Sequence, residues 1–508
     1  MKKKLLLSTL LIIQLVNGQN DGSLDTNFGT GFSPEGIALK SITSYGEINN
    51  GTGKFIITNS TNNIYIGSLI EKRSSYSSPL NNNPGFHICN SNGSTINDDT
   101  FSGSGYTEEL FNMYSLSNGN ILTLEYRYDN SNFVNHSDIR TRIYDSNGLP
   151  DDIYNNAVTI NNGYNEALFS LIEISTGIFA CGHFKEMEWS GSPQKPMIAK
   201  LNTNGTLNTS YGNNGYAVLE GFNNSSFIDI TSNGTSLYVI TNTNKVIKLN
   251  LDGTIDTTFG SNGTFNTNSF LIPNKIKVQS DGKILVSGTS NNNYSVFRLD
   301  QNGIIDTTFG TNGIFKTIVG SSPGNTCSDM EIMSNDKILL SGNLANNTGI
   351  GLLRLNPNGS LDTSFGTNGI TISIFDYLSG FPDITDVIVN DMTLKSDGKI
   401  LITGGGKGYA PDNKNHIILV QYNNTNEVLN SISFEAQNIK LYPNPVSNTL
   451  TITQQNIKNV TITDLTGKTV LKQSTNNKII VSSLQKGIYI VTIETLDGKT
   501  ETQKIIKE

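Results

Sequence analysis

Ile305-Asp306-Thr307-Thr308-Phe309-Gly310-Thr311-Asn312-Gly313 packs an aspartate, three hydroxyls, one ring and two glycines into nine residues. That is the chemistry of a turn: the acid caps backbone amides and the glycines accept positive φ. The same phrase stands at Ile255-Asp256-Thr257-Thr258-Phe259-Gly260-Ser261-Asn262-Gly263 and at Leu361-Asp362-Thr363-Ser364-Phe365-Gly366-Thr367-Asn368-Gly369. Leu207-Asn208-Thr209-Ser210-Tyr211-Gly212-Asn213-Asn214-Gly215 repeats it with Asn for Asp and Tyr for Phe, and Leu24-Asp25-Thr26-Asn27-Phe28-Gly29 is a shortened copy. Two degenerate copies fill the gap: Asp145 to Asp151 aligns with Asp300 to Asp306, and Asn90-Ser91-Asn92-Gly93 leads into Phe101-Ser102-Gly103. The copies number seven.

A second phrase lies between them. Asp281-Gly282-Lys283 precedes Ile284-Leu285-Val286-Ser287-Gly288; the pattern recurs at Asn335-Asp336-Lys337 and Asp397-Gly398-Lys399, and in weaker form at Asn62, Asn118, Thr176 and Asn233. This count is also seven. Each unit predicts four strands: a short one after the Asn-Gly turn (Ile314 to Ile318), an alternating one (Lys275 to Gln279), a buried apolar one after the Asp-Gly hairpin, and a second alternating one (Ser295 to Leu299). Four strands repeated seven times predict an all-β fold, a seven-bladed β-propeller. Phe28-Gly29 and the strand Ile417 to Tyr422 can then complete one blade across the ring closure, which hides the sheet edges. The rival readings are a β-solenoid and two smaller sandwiches.

Composition agrees. The 508 residues exceed one ordinary domain, and the net charge of −8 argues against nucleic acid as a partner. The richness in Asn, Gly, Thr and Ser disfavours a helical bundle. Cys89, Cys181 and Cys327 are too few and scattered for a disulfide framework or a zinc site. Lys2-Lys3-Lys4 followed by the apolar run Leu5 to Val16 reads as a signal peptide cleaved after Gly18. No later run is long enough for an integral membrane segment in the mature chain.

The repeat-turn residues Asp25, Phe28, Gly29, Asn208, Tyr211, Gly212, Asp256, Phe259, Gly260, Asp306, Phe309, Gly310, Asp362, Phe365 and Gly366 are expected to be structural: acids cap, rings plug between blades, glycines turn. Calcium is the one cofactor worth weighing, since these oxygens are hard ligands. Each turn offers a single Asp, however, so no metal site and no cofactor is expected. The connections Ser68 to Phe86, Asp129 to Ser137, His183 to Pro196 and Gly405 to Asn415 vary widely, while those carrying the repeat phrase are uniform. The two classes leave opposite faces, so binding belongs on the variable one. The richest of these loops holds His183, Glu186, Glu188 and Trp189, an imidazole, two carboxylates and the sole Trp, suited to gripping a sugar or a metal. No catalytic residue is assigned: the pairs Asp98-Asp99, Glu108-Glu109 and Asp151-Asp152 lie in or beside turns, and Gly404-Gly405-Gly406-Lys407-Gly408 lacks the spacing of a phosphate loop.

The Asp-x-Thr-Phe-Gly-x-Asn-Gly phrase resembles the delta-60 repeat of bacterial secreted proteins over most of residues 21–430. After Gln437 a different pattern opens with Leu441-Tyr442-Pro443-Asn444-Pro445, continues through Asp464-Leu465-Thr466-Gly467-Lys468 and Gly487-Ile488-Tyr489, and closes with Lys504-Ile505-Ile506-Lys507. Its alternating short strands predict a small Ig-like β-sandwich. It resembles the type A C-terminal sorting domain of the type IX secretion system of Bacteroidetes, with Pro443, Asn444, Pro445, Gly467, Lys468, Gly487 and Tyr489 as signal residues. The resemblance implies engagement with that machinery, export through the periplasm and outer membrane, and release or cell-surface attachment. The expected organisation is signal peptide 1–18, propeller 19–430, linker 431–437 and sorting domain 438–508. The expected function is secreted or surface binding and adhesion, with a glycan or surface polymer as ligand; the alternative is a secreted polysaccharide-acting enzyme.

Overall fold

The structure is a computed structural model that describes residues 21–25, 28, 37–40, 48–59, 61–73, 81–100, 106–129, 137–145, 158–160, 165–185, 193–320, 324–375, 384–408, 415–424, 441–452, 457–464, 468–474, 478–495 and 500–508. The predicted signal peptide and Gly29, Glu186, Glu188, Trp189 and Gly467 lie outside the described residues. The chain divides into two compact units, 1–426 and 427–508.

Among the described residues, seven four-stranded antiparallel sheets fill the first unit, as the two repeat counts predict. Their innermost strands are Ile48–Thr58, Tyr106–Ser115, Asn165–Ile174, Phe227–Ser232, Ile272–Val278, Thr326–Ile332 and Ile384–Leu394, which open blades 1 to 7. Each packs against the next and the last against the first, so the ring closes. Blade 7 is completed from the chain's beginning: Ile37–Lys40 pairs with Ile417 to Val420. Beside it, Asp25 N donates to the Gln421 carbonyl at 2.9 Å.

The blade boundaries differ from the sequence expectation in phase. Ile314–Thr317 pairs with Asn293–Leu299, so the short strand ends its own blade rather than opening the next. The cause is backbone bonding that sequence does not display. Asp306 N donates to the Arg298 carbonyl and Arg298 N to the Gly313 carbonyl, tying both ends of the turn to the strand it leaves. The hairpins joining each blade's second and third strands also have longer arms than expected: one pairs Ile64–Arg73 with Asn81–Cys89, and another runs on through Lys185 before its turn.

The turn phrase works between blades. Asp306 accepts from the Thr308 amide and hydroxyl through Oδ1, while Oδ2 takes Arg298 Nε at 3.0 Å and Lys283 Nζ at 3.2 Å. Asp362 likewise holds Arg354 and Lys337, Asp256 holds Lys248, and Asp25 holds Gln421 and Lys399. Phe28, Phe259, Phe309 and Phe365 are sealed. Three of these rings lie against a glycine of the next blade: Phe28 on Gly93, Phe259 on Gly303, Phe309 on Gly359. The following glycine then donates across the seam, Gly260 to the Asn302 carbonyl and Gly310 to that of Asn358.

In the second unit, Leu441–Tyr442, Thr449–Ile452 and Lys478–Ile480 form one sheet, and Ile457–Thr463, Thr469–Gln473, Gly487–Thr495 and Thr500–Lys507 the other. Val446, Leu450, Val460, Ile479, Val491 and Ile505 are among the side chains sealed in its core.

Candidate functional site

Every inner strand carries a β-bulge. Its extra residue is Lys54, Phe111, Phe169, Ile228, Asn274, Ser328 or Asn390 in blades 1 to 7 respectively. All seven are part-exposed, and the residue before each is buried. The bulges stand at one level of the innermost strands, so these seven form one collar around the axial channel, with Ile228 also packed on the core between blades 4 and 5. Phe111 and Phe169 meet around it, their centroids 5.2 Å apart, edge to face. Asn274 and Asn390 lie on the far side, each donating its amide to a backbone carbonyl of the following blade, Cys327 and Gly53.

Two further rings extend the aromatic arc. Tyr126 packs on Phe111 at 5.3 Å and His183 on Phe169 at 5.4 Å. These residues stand apart from the apolar clusters sealed between blades 1 and 4. The inner strands of blades 7, 1, 2 and 3 run 10 or 11 residues, against 6 or 7 in blades 4 to 6. The extra residues precede the bulge, on the side of the variable hairpins. The arc therefore sits at the foot of a raised wall.

Beside the collar, charge converges from blades 5 to 7. Lys275 Nζ lies 3.4 Å from Asp329 Oδ1 and 3.7 Å from Asp391 Oδ1. Burial opposes the Lys275 charge, but Asp329 and Asp391 outweigh it and hold its pKa well above the ordinary value. Burial, then the Asp329 carboxylate, pushes Asp391 upward. One step along, Lys277 pairs with Glu331 at 2.9 Å. These carboxylates also clamp the ring: Asp229 accepts from Ile276 N, Asp329 from Met392 N and Asp391 from Ile56 N. Among the described residues no three His, Cys, Asp or Glu side chains are placed to hold a metal ion.

Of the four residues expected in the binding loop, the described one is His183, and it lies on a strand rather than in a loop. Its Nδ1 is 3.2 Å from Ser226 Oγ of blade 4, and burial, with Lys185 nearby, lowers its pKa to about 4. It is a neutral seam residue at pH 7. Ser68 Oγ and His87 Nε2 approach to 2.7 Å over Gly85, but both are sealed in blade 1, which makes this a core hydrogen bond rather than an accessible nucleophile. In the tail, Asn444 donates to the Lys504 carbonyl and accepts from Ile506 N, which laces the exposed Pro443-Asn444-Pro445 segment to the last strand. Lys468 N bonds the Asp464 carboxylate, and the Tyr489 hydroxyl bonds the Gln485 carbonyl in the turn that leads into Gly487.

Sequence reading missed the collar because its members share no chemistry. Aligning the seven inner strands on their bulges would have placed them in one column.

Residues 440–508 match the family described as a secretion system C-terminal sorting domain. Residues 234–259, 279–309 and 334–365 match a domain of unknown function, DUF5122, described as a β-propeller. β-Agarase D of Zobellia galactanivorans is 36% identical over 88 residues, 16% of this chain and 18% of that protein. Among solved structures, the extracellular domain of the hybrid two-component system BT3049 of B. thetaiotaomicron aligns at TM-score 0.35 and 13% identity, covering 89% of this chain and 61% of that one. The WD40 propeller domain of Doa1 aligns at TM-score 0.40 and 12% identity, covering 76% and 97%. The chain thus spans under a fifth of the agarase and about three fifths of the BT3049 domain. The tail marks the protein for export to the cell surface or the medium. No helix among the described residues is long and apolar enough to cross a membrane.

Proposed function

We propose that the exported propeller is a carbohydrate-binding protein that takes its ligand at the channel collar, on the side of the variable hairpins. The observation that carries this reading is the arc of Tyr126, Phe111, Phe169 and His183, part-exposed and outside the apolar clusters, on the same collar as Asn274, Ser328 and Asn390 of blades 5 to 7. A sugar ring has an apolar C–H face and a polar rim, and a wall of this kind serves both. The short likeness to a β-agarase supports the polymer class and nothing finer.

A glycan array probed with the full-length protein tests this. Phe169→Ala is expected to weaken the best ligand at least tenfold, about 1.4 kcal/mol, with an unchanged melting profile. Equal binding by the variant would refute the site. A second reading, a polysaccharide-acting enzyme, draws on the convergence of Asp329, Asp391 and Lys275. Both carboxylates already hold a neighbouring blade's backbone, so binding is placed first. Release of reducing ends from the bound glycan would reverse that order.

A further inference from the structure

We propose that the collar selects an anionic carbohydrate, with the Lys54 ammonium receiving a carboxylate or sulfate of the sugar chain. This rests on the carbohydrate reading above.

Lys54 is the bulge residue of blade 1, and its neighbour around the collar is Phe111 of blade 2. It stands part-exposed at the channel, with no ion pair or hydrogen bond on its ammonium among the described residues. The other lysines of the propeller's inner machinery are all engaged: Lys275 with Asp329 and Asp391, Lys277 with Glu331, Lys283 with Asp306, Lys337 with Asp362, Lys399 with Asp25. An ammonium gains an ion pair only from a partner close by, and among the described residues no carboxylate of the fold supplies one to Lys54. A ligand anion would. Its sugar ring would then lie beside Lys54, over Phe111 and Phe169, where an aromatic face meets C–H groups.

The protein's overall charge sharpens the assignment. At −8 the molecule repels polyanions at long range. Preference for an acidic sugar therefore has to arise from a local cation, and it should weaken as salt rises.

The test uses full-length protein and oligosaccharides of matched length in three arms: a neutral galactan, an oligogalacturonate and a sulfated galactan. The wild type is expected to prefer one anionic arm at least tenfold, and that arm tells carboxylate from sulfate. Lys54→Met should abolish the preference, so that the anionic arms bind no better than the neutral one, Lys54→Arg should retain it, and Phe169→Ala should weaken all arms that bind. Melting curves check that each variant folds. Neutral and anionic sugars bound alike by the wild type, or a preference that survives Lys54→Met, overturn this proposal and leave the carbohydrate reading standing. If no arm binds, the carbohydrate reading falls and this proposal with it.

Discussion

Phe309 is sealed between two blades and faces a different kind of group on each side. The Arg298 guanidinium carbon lies 4.7 Å from its ring centre, and Gly359 of the next blade closes on its edge. Truncating a buried Phe costs about 3–5 kcal/mol, so Phe309→Ala should lower the propeller's unfolding free energy by that amount, read from guanidinium unfolding curves. Gly359→Ala should be costly for the complementary reason. The new methyl would sit 2.8 Å from the Phe309 ring at a backbone φ of +82. The pair gives a sharper test than either alone. If ring and glycine are mutually fitted, Gly359→Ala should cost less in the Phe309→Ala background than in the wild type. Strict additivity in guanidinium unfolding would mean that they do not share one space.

At the scale of strands and seams, Glu166 is expected to make folding pH-dependent. It lies near the start of blade 3's inner strand, 1% exposed, and among the described residues neither carboxyl oxygen has a hydrogen-bond partner; the buried Tyr216 hydroxyl is equally unpartnered there. Burial, then Asp138 of blade 2, raises its pKa to about 8. The folded state therefore keeps a proton that the unfolded chain releases near pH 4.5. The stability this provides is complete below pH 4.5 and is lost as pH rises to 8, at no more than about 1.4 kcal/mol per unit. Unfolding curves for Glu166→Gln should lack that slope; parallel profiles for variant and wild type would show that Glu166 is ionised at neutral pH. Such a seam was hard to foresee. The turn phrase was legible because Asp306, Phe309 and Gly313 are chemically distinctive and recur in order. The collar was not: Lys54, Phe169 and Asn390 have nothing in common except register. The strand phase was not either, because the backbone of Arg298, rather than any side chain, holds Ile314–Thr317 to its own sheet.

For the whole molecule, closure and export depend on separate stretches of chain. The ring is closed by Ile37–Lys40 on Ile417 to Val420 and by the Leu24 to Tyr422 bridge, all within residues 1–426. Deleting residues 438–508 removes none of these contacts, so the truncated propeller should still fold, with its own cooperative melting transition. What it loses is the sorting domain. The shortened chain is therefore expected to accumulate in the periplasm, where cell fractionation and immunoblotting would find it protease-resistant and absent from the surface and the medium. A point change should imitate the deletion. Ile505 is fully buried in the tail's core, and Ile505→Lys places a charge there with no described partner. That variant should be retained like the deletion while its propeller melts normally. Wild-type levels of either variant outside the cell would show that export is read from the propeller and not from the tail.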